Sequence, residues 1–134
     1  MAKSGWKGIT SPSLVNRMYI QTVRLILRNF TDSDLESFLE YHNDPEVAKY
    51  QGWDIPYPRE KAEAFVSYMK ERTALKQGGW VQFAIALKDT DELIGDLGCY
   101  IKEDDIRQAR IGFTLDSRYW RKGYMTEVIP HLLE

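Results

Sequence analysis

The first clear pattern along the chain is alternation. From Thr22 onward, Val23, Leu25 and Leu27 alternate with Arg24, Ile26 and Arg28, the period of two that a half-buried β-strand requires. The period then changes. Behind Thr31 and Asp34, which resemble a capping box, Leu35, Phe38, Leu39 and His42 recur at helical spacing until Asn43, Asp44 and Pro45 end the run. The stretch QGWDIPYP, Gln51 to Pro58, carries two prolines and predicts irregular structure, whose Trp53 and Tyr57 either cover the core or line a substrate mouth. A second helix is predicted from Arg59 to Lys76. Its stripe of Ala62, Phe65, Met69 and Thr73 lies beside Val66, Tyr68 and Leu75, and Gly78 and Gly79 close it.

Three strand-like runs follow closely. In WVQFAIALK, Val81, Phe83, Ile85 and Leu87 take one phase; in QARIGFTL, Ala109, Ile111, Phe113 and Leu115 do the same. In ELIGDLGCYI, Leu93, Leu97, Cys99 and Ile101 share a face, while Asp96 falls on the polar phase and reads as a solvated surface residue. Gly95 and Gly98 suggest a bulge or a close backbone approach. Polar turns at Asp89 to Asp91 and Glu103 to Asp105 join these runs into an antiparallel meander. The order strand, helix, helix, three strands, helix predicts an α/β (α+β) fold, a mostly antiparallel sheet flanked by helices. Residues 1–21 mix Gly, Ser, Pro and Lys with scattered apolar residues and read as a loosely ordered segment before a single domain over 22–134.

Composition agrees with one folded domain: 134 residues, 43% hydrophobic and 28% charged. A net charge of -2, from 18 basic and 20 acidic residues, gives no overall reason to bind nucleic acid or an anionic membrane. No apolar run reaches the ~18 residues of a membrane span, and none at the N-terminus makes a secretory core. Cys99 is the only cysteine, so no internal disulfide forms, and a cytoplasmic location is expected. Two widely separated histidines, His42 and His131, and one cysteine make no metal-ligand cluster, so no metal is expected.

The chemistry concentrates in RIGFTLDSRYWRKGYMTEV, Arg110 to Val128, where a strand runs into a basic, glycine-containing turn and then a helix. A helix N-terminus presents backbone N–H groups without intrahelical partners and a partial positive charge, a ready anion site. Arg121 and Lys122 add cationic side chains, and Gly123 tolerates positive φ and close approach of a ligand. The residues alone fit either a phosphate site or a solvated basic turn. Neither the P-loop pattern nor the dinucleotide fingerprint is present.

The run TVRLILRNFTDSDLESFLEYHNDPEV, followed in order by LIGDLGCYI and the Arg110 to Val128 junction, resembles the GNAT acetyltransferase superfamily, in the branch typified by ribosomal-protein N-acetyltransferases and related small-amine acetyltransferases. The resemblance runs from about Gln21 to the last residue. The family turn reads Gln or Arg, two residues, Gly, one residue, Gly or Ala. Gly123 fills the glycine place, whereas Trp120 stands for Gln or Arg, Met125 for the small residue, and Arg121 occupies a place often held by glycine.

The resemblance implies an acetyl-CoA-dependent N-acetyltransferase acting on a primary amine, a protein N-terminus or a small amine. It implies that the pantetheine arm lies along Phe113, Thr114 and Leu115 like an added strand. The diphosphate then sits on amides from Arg121, Lys122, Gly123, Tyr124, Met125 and Thr126. Trp53 and Tyr57 are the candidates for the acceptor side. No catalytic base is identified: Arg110 stands where relatives carry a carboxylate, and Glu103, Asp104 and Asp105 read as a solvated turn. Family members continue past the last helix, so the sequence reads as a GNAT domain lacking its C-terminal strands and helix. The strand Ala109 to Leu115 is then an open edge, and association with a second copy or completion by another chain is expected. The alternative reading is a catalytically incompetent relative that serves at most as a coenzyme A-binding or interaction module.

Overall fold

In the computed structural model, residues 20–71, 80–101 and 109–132 are described. The strands are β1 (Ile20–Gln21), β2 (Leu25–Arg28), β3 (Trp80–Leu87), β4 (Leu93–Ile101) and β5 (Ala109–Leu115). The helices are α1 (Leu35–His42), α2 (Pro45–Gln51), α3 (Arg59–Lys70) and α4 (Tyr124–Leu132). Single 3-10 turns at Asp32–Asp34 and Ser117–Tyr119 introduce α1 and follow β5.

The strands form one five-stranded sheet in the order β1-β2-β3-β4-β5, each antiparallel to its neighbour, which is the meander expected from the tight turns. Its register aligns Gln82 with Gly98 and Gly112, and Ala84 with Asp96 and Thr114. Because side chains alternate between faces, Trp80, Gln82 and Ala84 share a face with Gly98, Asp96, Gly112 and Thr114. Helices α1 and α3 cover part of this face. Tyr41 of α1 bonds Asp96, Phe38 stacks on Phe65 of α3 at 4.9 Å, and Phe65 reaches Trp80 at 6.2 Å. The opposite face presents Val81, Phe83, Leu97 and Cys99, all fully buried, and α4 contributes Val128 to the same core.

Local chemistry explains several boundaries. The Asp34 carboxylate accepts the Thr31 N–H at 2.8 Å, one half of the expected capping box, and the 3-10 turn leads directly into α1. Arg28 holds the other side of that carboxylate in a two-toothed pair at 2.8 and 2.9 Å, which locks the end of β2 to the start of α1.

The helix from Leu35 ends at His42 with Asn43 as its C-cap, as expected. The structure adds a helix directly behind it: Asp44 caps α2 by accepting the Glu46 N–H at 2.9 Å, with Pro45 at its first position. The strand expected from Thr22 begins at Leu25, and Val23 is 83% exposed. Leu25, Ile26 and Leu27 are all buried, so both phases of β2 are covered rather than one. The expected helix to Lys76 is described only to Lys70, with Glu71 as its C-cap; residues 72–79, with Gly78 and Gly79, lie outside the described residues, as does the turn Glu103 to Asp105. Of the segment 1–21 only Ile20 and Gln21 are described, as β1.

Candidate functional site

The junction after β5 is held from several sides. Asp116, buried, accepts the Arg118 N–H at 3.0 Å and pairs with its guanidinium at 2.6 Å; the Trp120 indole donates to the Leu115 carbonyl at 2.8 Å. Two residues of the following turn adopt left-handed backbone: Arg121 with φ of 62° and Gly123 with φ of 78°. The position that family members often give to glycine therefore needs glycine-like backbone, and here an arginine occupies it at a steric cost. Left-handed residues interleaved in a turn make a concavity of N–H groups that suits anions. The first intrahelical bond of α4 runs from Glu127 N–H to the Gly123 carbonyl at 3.0 Å, so the amides of Tyr124, Met125 and Thr126 stand at the open end of the helix.

Arg24, which the sequence reading passed over, tethers this end to the sheet. Its backbone N–H and its Nε each donate to Glu127 at 2.7 Å, and its guanidinium lies 4.4 Å above the Tyr124 ring. Thr22 donates its hydroxyl to the same carboxylate. Burial works against the Glu127 charge, but these hydrogen bonds outweigh it and hold the carboxyl below its ordinary range. Sequence separation of about one hundred residues hid the pairing. Arg121, Lys122 and Gly123 are exposed, as an anion site requires, and Met125 is half-buried against the core. The donor set of backbone amides, two exposed cations and a glycine fits a diphosphate.

Beside the turn lies β5, the last strand of the sheet. The Phe113 carbonyl points away from β4 and accepts from Gln51 Nε2 at 3.0 Å. By the alternation of an antiparallel ladder, the N–H groups of Ile111, Phe113 and Leu115 therefore face the outer edge. A cleft of about 440 Å³ opens on the Gln82 face and along this edge, with Gln51, Trp80, Gln82, Gly112, Phe113 and Thr114 in its lining. Of the expected cofactor strand, Phe113 (43% exposed) and Thr114 line the cleft, while Leu115 is buried in the core.

Beneath the cleft sits the largest departure from expectation. Asp96, read as solvated, is 2% exposed. Asp96 does lie on the polar phase of β4, but that phase faces α1 there and not solvent. Its carboxylate accepts the Tyr41 hydroxyl and, at 2.6 Å, Gln82 Nε2. Burial pushes its pKa up to about 6, with both hydrogen bonds pulling the other way. Gln82 in turn accepts the Trp80 indole N–H at 3.1 Å. No carboxylate or imidazole stands among the described residues that line the cleft.

Trp53 and Tyr57, both half-buried, pack around His42. Trp53 stacks on His42 at 4.7 Å and donates to its carbonyl at 2.9 Å, and Tyr57 lies 4.5 Å from the same imidazole. Neither is among the described residues of the cleft. His42 itself is buried, its Nδ1–H donates to the Phe38 carbonyl at 2.8 Å, and burial drives its pKa down to about 4, so it is neutral at pH 7. Among the described residues no group of three or more His, Cys, Asp or Glu is placed to hold a metal, and no described helix is long and apolar enough to cross a membrane.

Comparison with known proteins places this geometry. The chain is 33% identical over 114 residues to a protein named as the uncharacterized N-acetyltransferase YoaA of Bacillus subtilis (strain 168), covering 85% of this chain and 63% of that one. It is 34% identical over 117 residues to the uncharacterized N-acetyltransferase YnaD of the same organism, covering 87% and 64%. Among solved structures it is similar to an acetyltransferase (GNAT family) from Bacillus anthracis, with a TM-score of 0.67 and 27% identity, covering 87% of this chain and 64% of that one. The chain thus spans less than two thirds of the length of each of these proteins. The pattern of the acetyltransferase (GNAT) domain matches residues 24–134, from the arginine that tethers α4 through the sheet and the turn at Arg121 to Gly123, and the chain belongs to the GNAT acetyltransferase family.

Proposed function

We propose that this chain carries the acetyl-CoA site of an N-acetyltransferase that transfers an acetyl group to a primary amine. The observation that carries the reading is the continuity of the β5 edge with the turn at Arg121 and Gly123, which sets a row of outward N–H groups beside a concavity of amides. When bound, acetyl-CoA supplies the acetyl group as an activated thioester. The amine nitrogen forms the new bond to the acetyl carbon, the carbon–sulfur bond breaks, and the proton lost by the amine balances the thiol of released coenzyme A.

The residues divide this work. The outward edge of Phe113, Thr114 and Leu115 holds an extended arm by strand addition, and the N–H of Phe113 is the donor placed to face a carbonyl oxygen there; one such donor contributes about 3 kcal/mol where charge develops. Arg121, Lys122 and the amides from Gly123 to Thr126 hold the diphosphate. Gln51 already occupies the Phe113 carbonyl, so an arm lying on this edge has to share or displace that bond. The same edge accepts a strand from a second copy or another chain, and sedimentation with and without acetyl-CoA separates the two uses. A cytoplasmic setting belongs to this reading, in keeping with a single cysteine.

Release of coenzyme A thiol from acetyl-CoA, followed with a panel of amines, tests the reading. Amine-dependent release that falls at least about tenfold in a double variant, Arg121→Ala with Lys122→Ala, supports it, as expected for loss of two charge-assisted phosphate contacts. Saturable acetyl-CoA binding without release from any amine favours the incompetent relative instead.

A further inference from the structure

The sheet register places Gln82, Gly98 and Gly112 in one row across β3, β4 and β5. Two of the three have no side chain, so the row is a trough in the cleft floor that opens at the outer edge of β5. A Cβ at Gly112 would meet nothing within 4 Å, which shows that the gap is open space rather than filled core. At the inner end the Gln82 side chain folds over Gly98, with Oε1 3.0 Å from where a Cβ would stand.

We propose that Gln82, fixed by Asp96 and Trp80, reads the group next to the acceptor amine, and that the acceptor is a peptide-like amine followed by a neutral amide rather than by the carboxylate of a free amino acid. This rests on the acetyl-transfer reading above. The Gln82 amide has one orientation, because Oε1 accepts from the Trp80 indole and Nε2 donates to Asp96. A primary amide carries two donors and two lone pairs, so one of each is left beyond these bonds, the complement of another amide. Spacing agrees. Strands lie about 4.8 Å apart, so the Gln82 amide over Gly98 stands one strand in from Gly112, and a residue of about 3.5 Å plus a hydrogen bond of about 2.9 Å spans that gap from an amine seated over β5.

Charge supplies the second half of the selection. The described ionisable groups around Asp96 are Tyr41 of α1 and Tyr57 ahead of α3, and both phenols are held protonated, by burial first and by the Asp96 charge next. Thr114 of β5, opposite Asp96, is neutral. At neutral pH the local charge of these groups is that of Asp96, one hydrogen bond below the reading amide. A carboxylate in the trough meets a like charge through a poorly screening medium, whereas an amide meets none.

The test is equilibrium binding of alaninamide and of alanine to the whole chain saturated with coenzyme A near neutral pH, followed by titration calorimetry and by tryptophan fluorescence. Alaninamide is expected to bind at least about tenfold more tightly, the ratio carried by one charge-sensitive hydrogen bond. Asp96→Asn is expected to shrink the preference below about threefold by strengthening alanine, and Gln82→Met to shrink it by weakening alaninamide. Gly112→Val, whose added side chain enters the trough, is expected to remove binding of both while the thermal midpoint stays within about 2 °C. Equal affinities, a preference for alanine, a preference unchanged in Asp96→Asn and Gln82→Met, or no saturable binding of either probe overturns the proposal. If acetyl-CoA still binds saturably in that last case, only the acceptor proposal falls; if it does not, the parent reading falls with it.

Discussion

Arg121 and Gly123 both sit at positive φ in the turn before α4, yet only one of them is a glycine. Opposite signs follow for the two substitutions. Gly123→Ala places a Cβ in left-handed backbone and is expected to cost about 1 kcal/mol, while Arg121→Gly relieves a similar strain and, after the entropy of an added glycine, raises stability by about 0.5 kcal/mol. Urea unfolding of both variants checks this, and a loss above about 1 kcal/mol in Arg121→Gly contradicts the strained geometry. Asp96 and His42 give a second residue-scale test through pH. Asp96 is pushed from 3.8 to about 6, so the folded state binds more protons than the unfolded one in that window, and its contribution, about 3 kcal/mol, is present below pH 4 and lost by pH 6. His42 is driven from 6.5 to about 4, so the unfolded state binds more protons there and stability rises with pH, by a similar amount. The two slopes oppose each other. Asp96→Asn is therefore expected to leave a profile that climbs between pH 4 and 6 relative to the parent; parallel profiles in urea unfolding contradict the buried, raised carboxyl. Sequence alone gave the phase of Asp96 but not its burial, because a strand's polar phase turns inward wherever a helix covers it.

At the scale of elements, Gly95 and Gly112 make the sharpest contrast. A Cβ at Gly95 would stand 2.4 Å from the Thr114 carbonyl oxygen and 3.1 Å from the Leu115 Cα, backbone atoms that move only if β4 and β5 part. Gly95→Ala is expected to cost at least about 3 kcal/mol, and Gly112→Ala less than about 0.5 kcal/mol, since its Cβ enters open space. Thermal unfolding of the pair checks the register, and equal effects contradict it. The close approach at Gly95 was readable as an isolated glycine in a strand pattern, and β3, β4 and β5 were readable as strands, but not which phase is covered: Ala84, Ile94 and Asp96 are buried on the second phase and Phe113 is exposed. Helix α2 is signalled by Asp44 followed by Pro45, a cap-and-first-turn signature, but the same proline behind a helical run also signals that run's end, and both hold here. The helix matters for the site, since α2 ends in Gln51, the residue that reaches the β5 edge.

For the whole molecule, the topology was legible because every strand pairs with its sequence neighbour, so no crossover had to be guessed. What local pattern could not supply was the long-range assembly of the site: Arg24 on α4 through Glu127, Gln51 on Phe113, and Tyr41 on Asp96 join residues distant in the chain. Those contacts tie α1, α2 and α4 to the strands that carry the turn, the outer β5 edge and the cleft, and the central claim is that these form a working acetyl-CoA site in this chain. Thermal denaturation with increasing acetyl-CoA, beside adenosine 3′,5′-bisphosphate as a partial ligand, tests it most directly. At ~100 times its dissociation constant a ligand adds about 2.7 kcal/mol, which for a domain of this size raises the midpoint by on the order of 10 °C. The account predicts a saturable rise with acetyl-CoA, a smaller one with the bisphosphate, and loss of both in the Arg121→Ala and Lys122→Ala double variant. A midpoint unmoved by acetyl-CoA contradicts it.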